Sequence, residues 1–458
     1  MAPDVEVFQQ QEVALLLKRK AAQNSLFQYV NPDTLVPEKH ILRRVRKSVD
    51  ITFITEEVKD LYSPDWGRPS FDPEVIGRMF LLGYLYNLSD RRLCEDVSMH
   101  AGYRWFCGLD FNDPVPDQST LVKLRKKWGQ AGVFERIMDH IVVQCIEAGL
   151  VDGSRVGLDG TQVTANAATN SLAPIQPAIS LHEYVNQREE ADDQDRKDPP
   201  SPPAPPAPPR QAGDPNFHGQ KFSNQTHRSK TDPDARLYRK GNNQEAKLRY
   251  LVHNAVDLRS GVVMATEASL ANSWAERAVG LELLDRSQGL LKTRKKRAKK
   301  AVADAGYSAG SFLAEVLKRG MEPYVPLASL EPEPIPRWRR PTFNLAQARK
   351  RKQRVTEAIA RNHVRLHGEK IRRRQQRDRT RVEHIFAEAK TYHGLGRARS
   401  RGLEKLQVQA LLTAITQNVK RLAKWMSRPQ KKATRVLLSP TNRTQAPAFT
   451  LQATFQPS

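Results

Sequence analysis

The chain has 458 residues, 39% hydrophobic and 27% charged, which suits two or three globular domains with cores of their own. Its 74 Lys and Arg against 50 Asp and Glu leave a formal net charge of +24. That argues against an enzyme of neutral metabolites and for a polyanionic partner, most simply nucleic acid.

The N-terminus, MAPDVEVFQQQEVALLLKRK, reads as neither a signal peptide nor an anchor. No run reaches about 18 consecutive apolar residues, so no membrane span is expected. Cys94, Cys107 and Cys145 lack C-x-x-C spacing, so no zinc site or disulfide framework follows. A reducing, cytoplasmic setting is expected.

Residues 1–150 read as helical. Asp72-Pro73 is an N-cap followed by a first-turn proline. Val75, Ile76, Met79, Phe80 and Leu82 then recur at helical spacing. Ser89-Asp90 restarts a second helix carrying Leu93. The stretch DQSTLVKLRKKWG caps a third with Ser119 or Thr120 and presents Arg125, Lys126 and Lys127 to solvent. Short basic helices joined by tight turns suit a DNA-binding module; a helical dimerisation domain is the other reading.

From about residue 155 the period changes. RVGLDGTQVTAN reads as a strand with a turn or bulge at Asp159-Gly160, or as a hairpin. A charged run, 188–198, and a proline run, 199–209, then interrupt the pattern and read as an extended spacer over 188–215. RYLVHNAVD and GVVMATEAS follow as strands joined by the turn LRSG. A helix near 274–290 precedes AVADAGYSAG, a small apolar run ending in Asp304. Asp and Gly there are ordinary turn punctuation, or Asp304 is a carboxylate held at a sheet edge. GSFLAEVLKRG is a helix closed by Gly320, and EPYVPL another strand. The order implies an α/β fold, a mixed sheet with flanking helices. Basic runs at 292–300 and 337–354, the second with Trp338 and Phe343, suit either a strand-gripping surface or a solvated helix face. Residues 431–458 read as a disordered tail.

RDRTRVEHIFAEAK carries an apolar helical stripe of Val382, Ile385, Phe386 and Ala389. With Arg379 at zero on a helical wheel, Glu383 falls near 40° and Lys390 near 20°, at about 100° per residue. All three share one strip beside the apolar stripe. Glu388 falls near 180°, so its substitution reads as an ordinary surface change. An Arg–Glu pair four apart also suits a plain helix salt bridge. Asp159, Asp304 and Glu383 together provide the carboxylates that two metal ions about 3.5–4 Å apart require for phosphodiester chemistry.

Here the chain resembles bacterial insertion-sequence transposases of the DDE class. GLDGTQVTANA resembles the block bearing the first catalytic Asp, which maps to Asp159, and AVADAGYSAG the second, which maps to Asp304. Arg379-x3-Glu383-x6-Lys390 matches the R-x3-E-x6-K part of the family's Y-x2-R-x3-E-x6-K signature. The signature's Tyr is Gln376 here, a departure that bears on how cut ends are handled. SKTDPDAR at 229–236 resembles a recurring block of no assigned role, and HGLGRARSRGLEKLQVQALLTAITQNVKRL the closing helix. The likeness covers roughly residues 25–426 apart from the spacer.

The resemblance implies a ribonuclease-H-like catalytic domain, 151–430, preceded by an all-α DNA-binding domain, 1–150. It implies two Mg²⁺ ions on Asp159, Asp304 and Glu383, with Mn²⁺ able to substitute. Arg379, Lys390, Arg125, Lys126 and Lys127 are the candidate DNA contacts. The implied partners are double-stranded DNA, as terminal inverted repeats and target, and a second copy of the chain on that DNA. A nucleoid-associated transposase is expected, against a catalytically inactive DNA-binding protein or a nuclease without strand transfer.

Overall fold

This computed structural model describes residues 31–63, 69–175, 223–239, 245–272, 275–327 and 345–428. The spacer, Trp338, Phe343 and the tail from 431 lie outside the described residues.

The N-terminal region comprises α1 (Pro32–Leu35), α2 (Ile41–Ser48), α3 (Ile54–Val58), α4 (Pro73–Leu85), α5 (Asp90–Met99), α6 (Ala101–Cys107), α7 (Gln118–Gln130) and α8 (Val133–Glu147). Asp72 caps α4 by accepting from the Glu74 amide, with Pro73 in the first turn. Val75, Ile76, Met79, Phe80 and Leu82 are buried as their spacing predicts. Phe80 meets Trp128 and Phe134 edge-on, building the centre of this region.

Two expectations fail on α7. Its cap is Asp117, whose Oδ1 accepts from the Thr120 amide at 2.8 Å. A carboxylate two residues before Ser119 closes the first turn, leaving Ser119 and Thr120 inside the helix. Arg125 does not face solvent. Its guanidinium makes two bonds to Asp90, at 2.7 and 2.5 Å, and lies over the Phe80 ring. Lys126 and Lys127 are exposed, with the Lys127 ammonium 4.0 Å from the Tyr62 ring centre.

The sheet is built from β1 (Arg155–Thr164), β4 (Arg236–Tyr238), β5 (Lys247–Asp257), β6 (Val263–Leu270), β7 (Lys300–Val302) and β8 (Glu322–Tyr324). A separate ribbon pairs β2 (Leu172–Pro174) with β3 (His227–Ser229). β1 lies between β5, antiparallel, and β7, parallel; β8 runs parallel beside β7, and β6 antiparallel beside β5. This is the ribonuclease-H-like mixed sheet the resemblance implies.

β1 contains no turn. Its register with β5 runs unbroken from Val156↔Asp257 to Thr164↔Arg249, through Asp159↔Asn254 and Gly160↔His253. The Asp-Gly pair loses its turn-forming tendency to this ladder, which a turn would break. The β5–β6 connection is the expected tight turn. Asp257, fully buried, accepts from the Gly153 and Ser260 amides and the Ser260 hydroxyl, and Gly261 takes φ +78°.

α9 (Ala275–Lys292), α10 (Gly310–Lys318), α11 (Leu345–Leu366), α12 (Glu369–Tyr392) and α13 (Leu403–Met426) flank the sheet. The 292–300 basic run ends α9 and is partly engaged, Arg294 with Glu147 and Lys296 with the Val151 carbonyl. Residues 345–354 of the later run begin α11.

α13 packs on β6 on one side and on α8, α2 and α4 on the other, joining the helical region and the sheet in one continuous core. Its buried Asn418 accepts from the Val263 amide at 2.9 Å and donates to the Val263 carbonyl at 2.8 Å. Gly402, its N-cap residue, has no side chain to cap with. Asp232 Oδ1 accepts from the Gly402 amide and Asp234 Oδ2 from the Leu403 amide, each at 3.1 Å. Tyr250 donates to Asp232 at 2.6 Å. The TDPDAR block therefore has a structural role: it caps the closing helix from about 170 residues away.

Candidate active site

β1 and β7 run side by side in parallel, with Gly157 opposite Val302. Asp159 and Asp304 each lie two residues beyond that pair, so both sit at the same level on neighbouring chain segments. Adjacent strands are about 4.8 Å apart, and both carboxylates reach the same cavity. Asp159 is held in mid-strand and its Oδ1 accepts from the Gly160 amide at 2.8 Å. Asp304 caps the short turn Ala305–Tyr307, accepting from the Gly306 amide at 2.9 Å. Asp304 is thus both the turn residue and the sheet-edge carboxylate; its turn bond aims it.

α12 crosses this edge in a set register. Arg155, at the start of β1, pairs with buried Asp378. One turn on, Val382 lies so close to β1 that a Cβ on Gly157 would come within 2.8 Å of it. Only glycine at 157 lets the helix approach this far. Val382, Ile385, Phe386 and Ala389 are buried as the stripe predicts.

With that face docked, Glu383 and Arg379 face a cavity of about 340 Å³. Asp159, Asp304, Glu383, Arg379 and Lys390 all line it, over an apolar floor that includes Leu158, Val302 and Phe386. Arg379 and Glu383 are also 4.0 Å apart as an ion pair. The salt-bridge and cavity readings of that spacing therefore coincide. Gln376 lies elsewhere on α12, bordering an open groove with Arg373, Arg377, Arg381 and His384.

The carboxylate donors at the cavity are oxygen ligands, the chemistry a hard divalent cation takes. Among the described residues, no three Asp, Glu, His or Cys side chains stand close enough as placed to ligate one ion. Two buried polar atoms near these carboxylates in sequence or register have no hydrogen-bond partner: Asn254 Oδ1, on the β5 residue opposite Asp159, and the hydroxyl of Tyr307, three residues after Asp304. Burial, and then the charges of Glu276, Asp159 and Asp304, push the Tyr307 hydroxyl well above its ordinary range. Sequence reasoning missed Asn254, Glu276 and Tyr307. His253-Asn254, two polar residues inside an apolar strand, was the one available signal.

Glu388 does face away from Glu383, yet it is not a surface residue. Its carboxylate accepts from Lys420 at 2.8 Å, Arg421 at 2.6 Å and Gln417 at 3.2 Å, all on α13.

The sheet order, with β7 and β8 parallel to β1 on one side and β5, then β6, each antiparallel to its neighbour on the other, is that of the ribonuclease-H-like class. Two family models match the chain: a transposase domain (DUF772) over residues 30–127 and a transposase DDE domain over residues 221–419. Together they span well over half of its length, and the chain belongs to the transposases of the DDE class. The comparison with curated proteins gives no match. The solved structure of a pre-cleavage Mos1 transpososome is 10% identical, covering 71% of this chain and 82% of that one. Its TM-score of 0.18 is too low to establish a common overall fold. No helix among the described residues is long and apolar enough to cross a membrane.

Proposed function

We propose that this transposase binds the ends of its own insertion sequence and performs Mg²⁺-dependent strand cleavage and strand transfer at the Asp159–Asp304–Glu383 cavity. The observation that carries the reading is that these three carboxylates, drawn from two strands and a helix, line one cavity with Arg379 and Lys390. Asp159 and Asp304 would hold the divalent ions from the rigid sheet, and Glu383 from the helix face above them. When bound, such ions supply an activated water or 3′-hydroxyl and stabilise the leaving oxygen. Arg379 and Lys390 would pair with phosphates of the DNA entering the cavity and so orient the scissile bond. Lys126 and Lys127, exposed on α7, supply phosphate contacts outside it. We place the enzyme in the cytoplasm, on nucleoid DNA, as a homodimer.

The test is cleavage and joining of DNA carrying the element's ends by Asp159→Asn, Asp304→Asn and Glu383→Gln. Each is expected to lose both products while still binding the ends. Activity within about tenfold of wild type, a barrier change of only about 1.4 kcal/mol, would remove that residue from the site. Cleaved product without joined product would reduce the enzyme to a nuclease.

A further inference from the structure

The segment after α12, residues 393–399, opens the HGLGRARSRG stretch. It begins three residues beyond Lys390, which lines the cavity. His393 is fully buried, and its Nδ1 lies 2.8 Å from the Tyr84 carbonyl, in the last turn of α4. A carbonyl only accepts, so Nδ1 donates. Arg399 reaches the same place. Its guanidinium lies 4.3 Å from the Tyr84 ring centre and donates to the Leu88 carbonyl at 2.9 Å and to Asn87 Oδ1 at 2.8 Å.

The backbone on both sides is shaped to this contact. Asn87 takes φ +54°, a left-handed conformation that Asn tolerates and most residues do not. Gly394 takes φ +72°, and a Cβ there would strike Asn87 Oδ1.

The same segment is stitched to the catalytic side. The Gly396 carbonyl accepts from the Thr164 amide at 3.1 Å, and the Ala398 amide donates to the Thr164 carbonyl at 2.8 Å, at the end of the strand that carries Asp159. Buried Gln409 of α13 accepts from the Arg399 amide at 2.8 Å and donates to the Gly394 and Arg397 carbonyls, each at 3.0 Å. In the other direction, Asn87 and Leu88 lead into α5, whose Asp90 holds Arg125 of α7. Lys126 and Lys127 follow on that helix, exposed. A short path of paired side chains thus runs from the α7 cations to β1 and α12.

We propose that Arg399 and Asn87 are positioning residues that hold the α7 cations at a set distance from the Asp159–Asp304–Glu383 cavity, and so select which phosphodiester bond is cut. The proposal rests on the functional reading above. A merely structural joint would contribute stability and leave the choice of bond alone.

The experiment maps the cut at nucleotide resolution on DNA carrying the element's ends, alongside end binding and the melting temperature of each full-length variant. Arg399→Ala is expected to bind the ends, to cut the wild-type bond at least about tenfold more slowly and to cut neighbouring bonds as well, since a misplacement of about 1 Å costs about 100-fold in rate. Asn87→Gly, which keeps the left-handed backbone and loses only the acceptor, should do the same and serves if Arg399→Ala does not fold. Asn87→Asp, which keeps an acceptor for Arg399, should retain the single wild-type cut. A single cut at the unshifted bond in both Arg399→Ala and Asn87→Gly, at whatever rate, would overturn the proposal and leave the three-carboxylate site standing. Failure of the wild-type protein to cut at the ends at all would overturn both.

Discussion

Glu388 shows how a single carboxylate changes meaning with its surroundings. Burial by itself would raise its pKa. The His393 ring 3.7 Å away and the Arg421 and Lys420 charges outweigh that and hold it below the usual carboxylate range. A depressed folded-state pKa contributes stability that is present above the unfolded value and lost as pH falls. The window therefore opens below about pH 4.5, the ordinary value for Glu. Glu388→Gln should lower unfolding free energy at neutral pH by about 1.5–3 kcal/mol, the range for hydrogen bonds to a charged group. It should also flatten the acid limb of stability against pH. Glu383→Gln should do neither, since its side chain is 57% exposed, yet it should abolish cleavage. Urea melts of both variants from pH 3 to 7 check this, and a Glu388 variant as stable as wild type throughout would refute it.

At the scale of elements, the closing helix shows how a cap is supplied from a distance. α13 begins at a glycine, and its first amides are satisfied by Asp232 and Asp234. Asp234→Ala should cost about 1 kcal/mol, as loss of an N-cap does. Asp232→Ala should cost more, because it also leaves the buried Tyr250 hydroxyl without its acceptor. Denaturant midpoints measure both. Equal, negligible effects would mean that the helix start is held by packing alone. The same helix seats α12 through Glu388, so the site's third wall depends on a contact network outside the cavity.

For the molecule as a whole, the charge of +24 outweighs any single contact. Some of the cations are structural and add nothing to that excess: Arg125, Arg155, Arg286, Arg294 and Arg319 are held by Asp90, Asp378, Asp139, Glu147 and Asp285. Other cations, including Lys126, Lys127, Arg373, Arg377 and Lys390, are exposed. DNA binding should weaken steeply with salt, log K falling against log salt by about 0.9 for each phosphate contacted. Lys126→Ala with Lys127→Ala should reduce that slope, whereas Arg125→Ala should chiefly destabilise the α5–α7 packing. Fluorescence anisotropy across a salt series reads the slope. A flat response would mean that the basic faces serve solvation alone.

The sequence determined what local spacing can encode. The caps at Asp72 and Ser89 and the apolar stripe of α12 follow from periods of 3.6. The strands RYLVHNAVD and GVVMATEAS follow from apolar runs bounded by turn residues. Arg379, Glu383 and Lys390 could be placed on one strip because a helix fixes their relative angle without any neighbour. The tertiary structure decided everything that depends on what lies opposite. Asp159-Gly160 is straight strand because β5 pairs with it at every residue. Arg125 is tied down and half-buried because Asp90 approaches from another helix. Glu388 is an anchor because α13 presents two cations to it. None of these partners is near in sequence, and charge or hydropathy along the chain carries no record of which distant side chain will arrive.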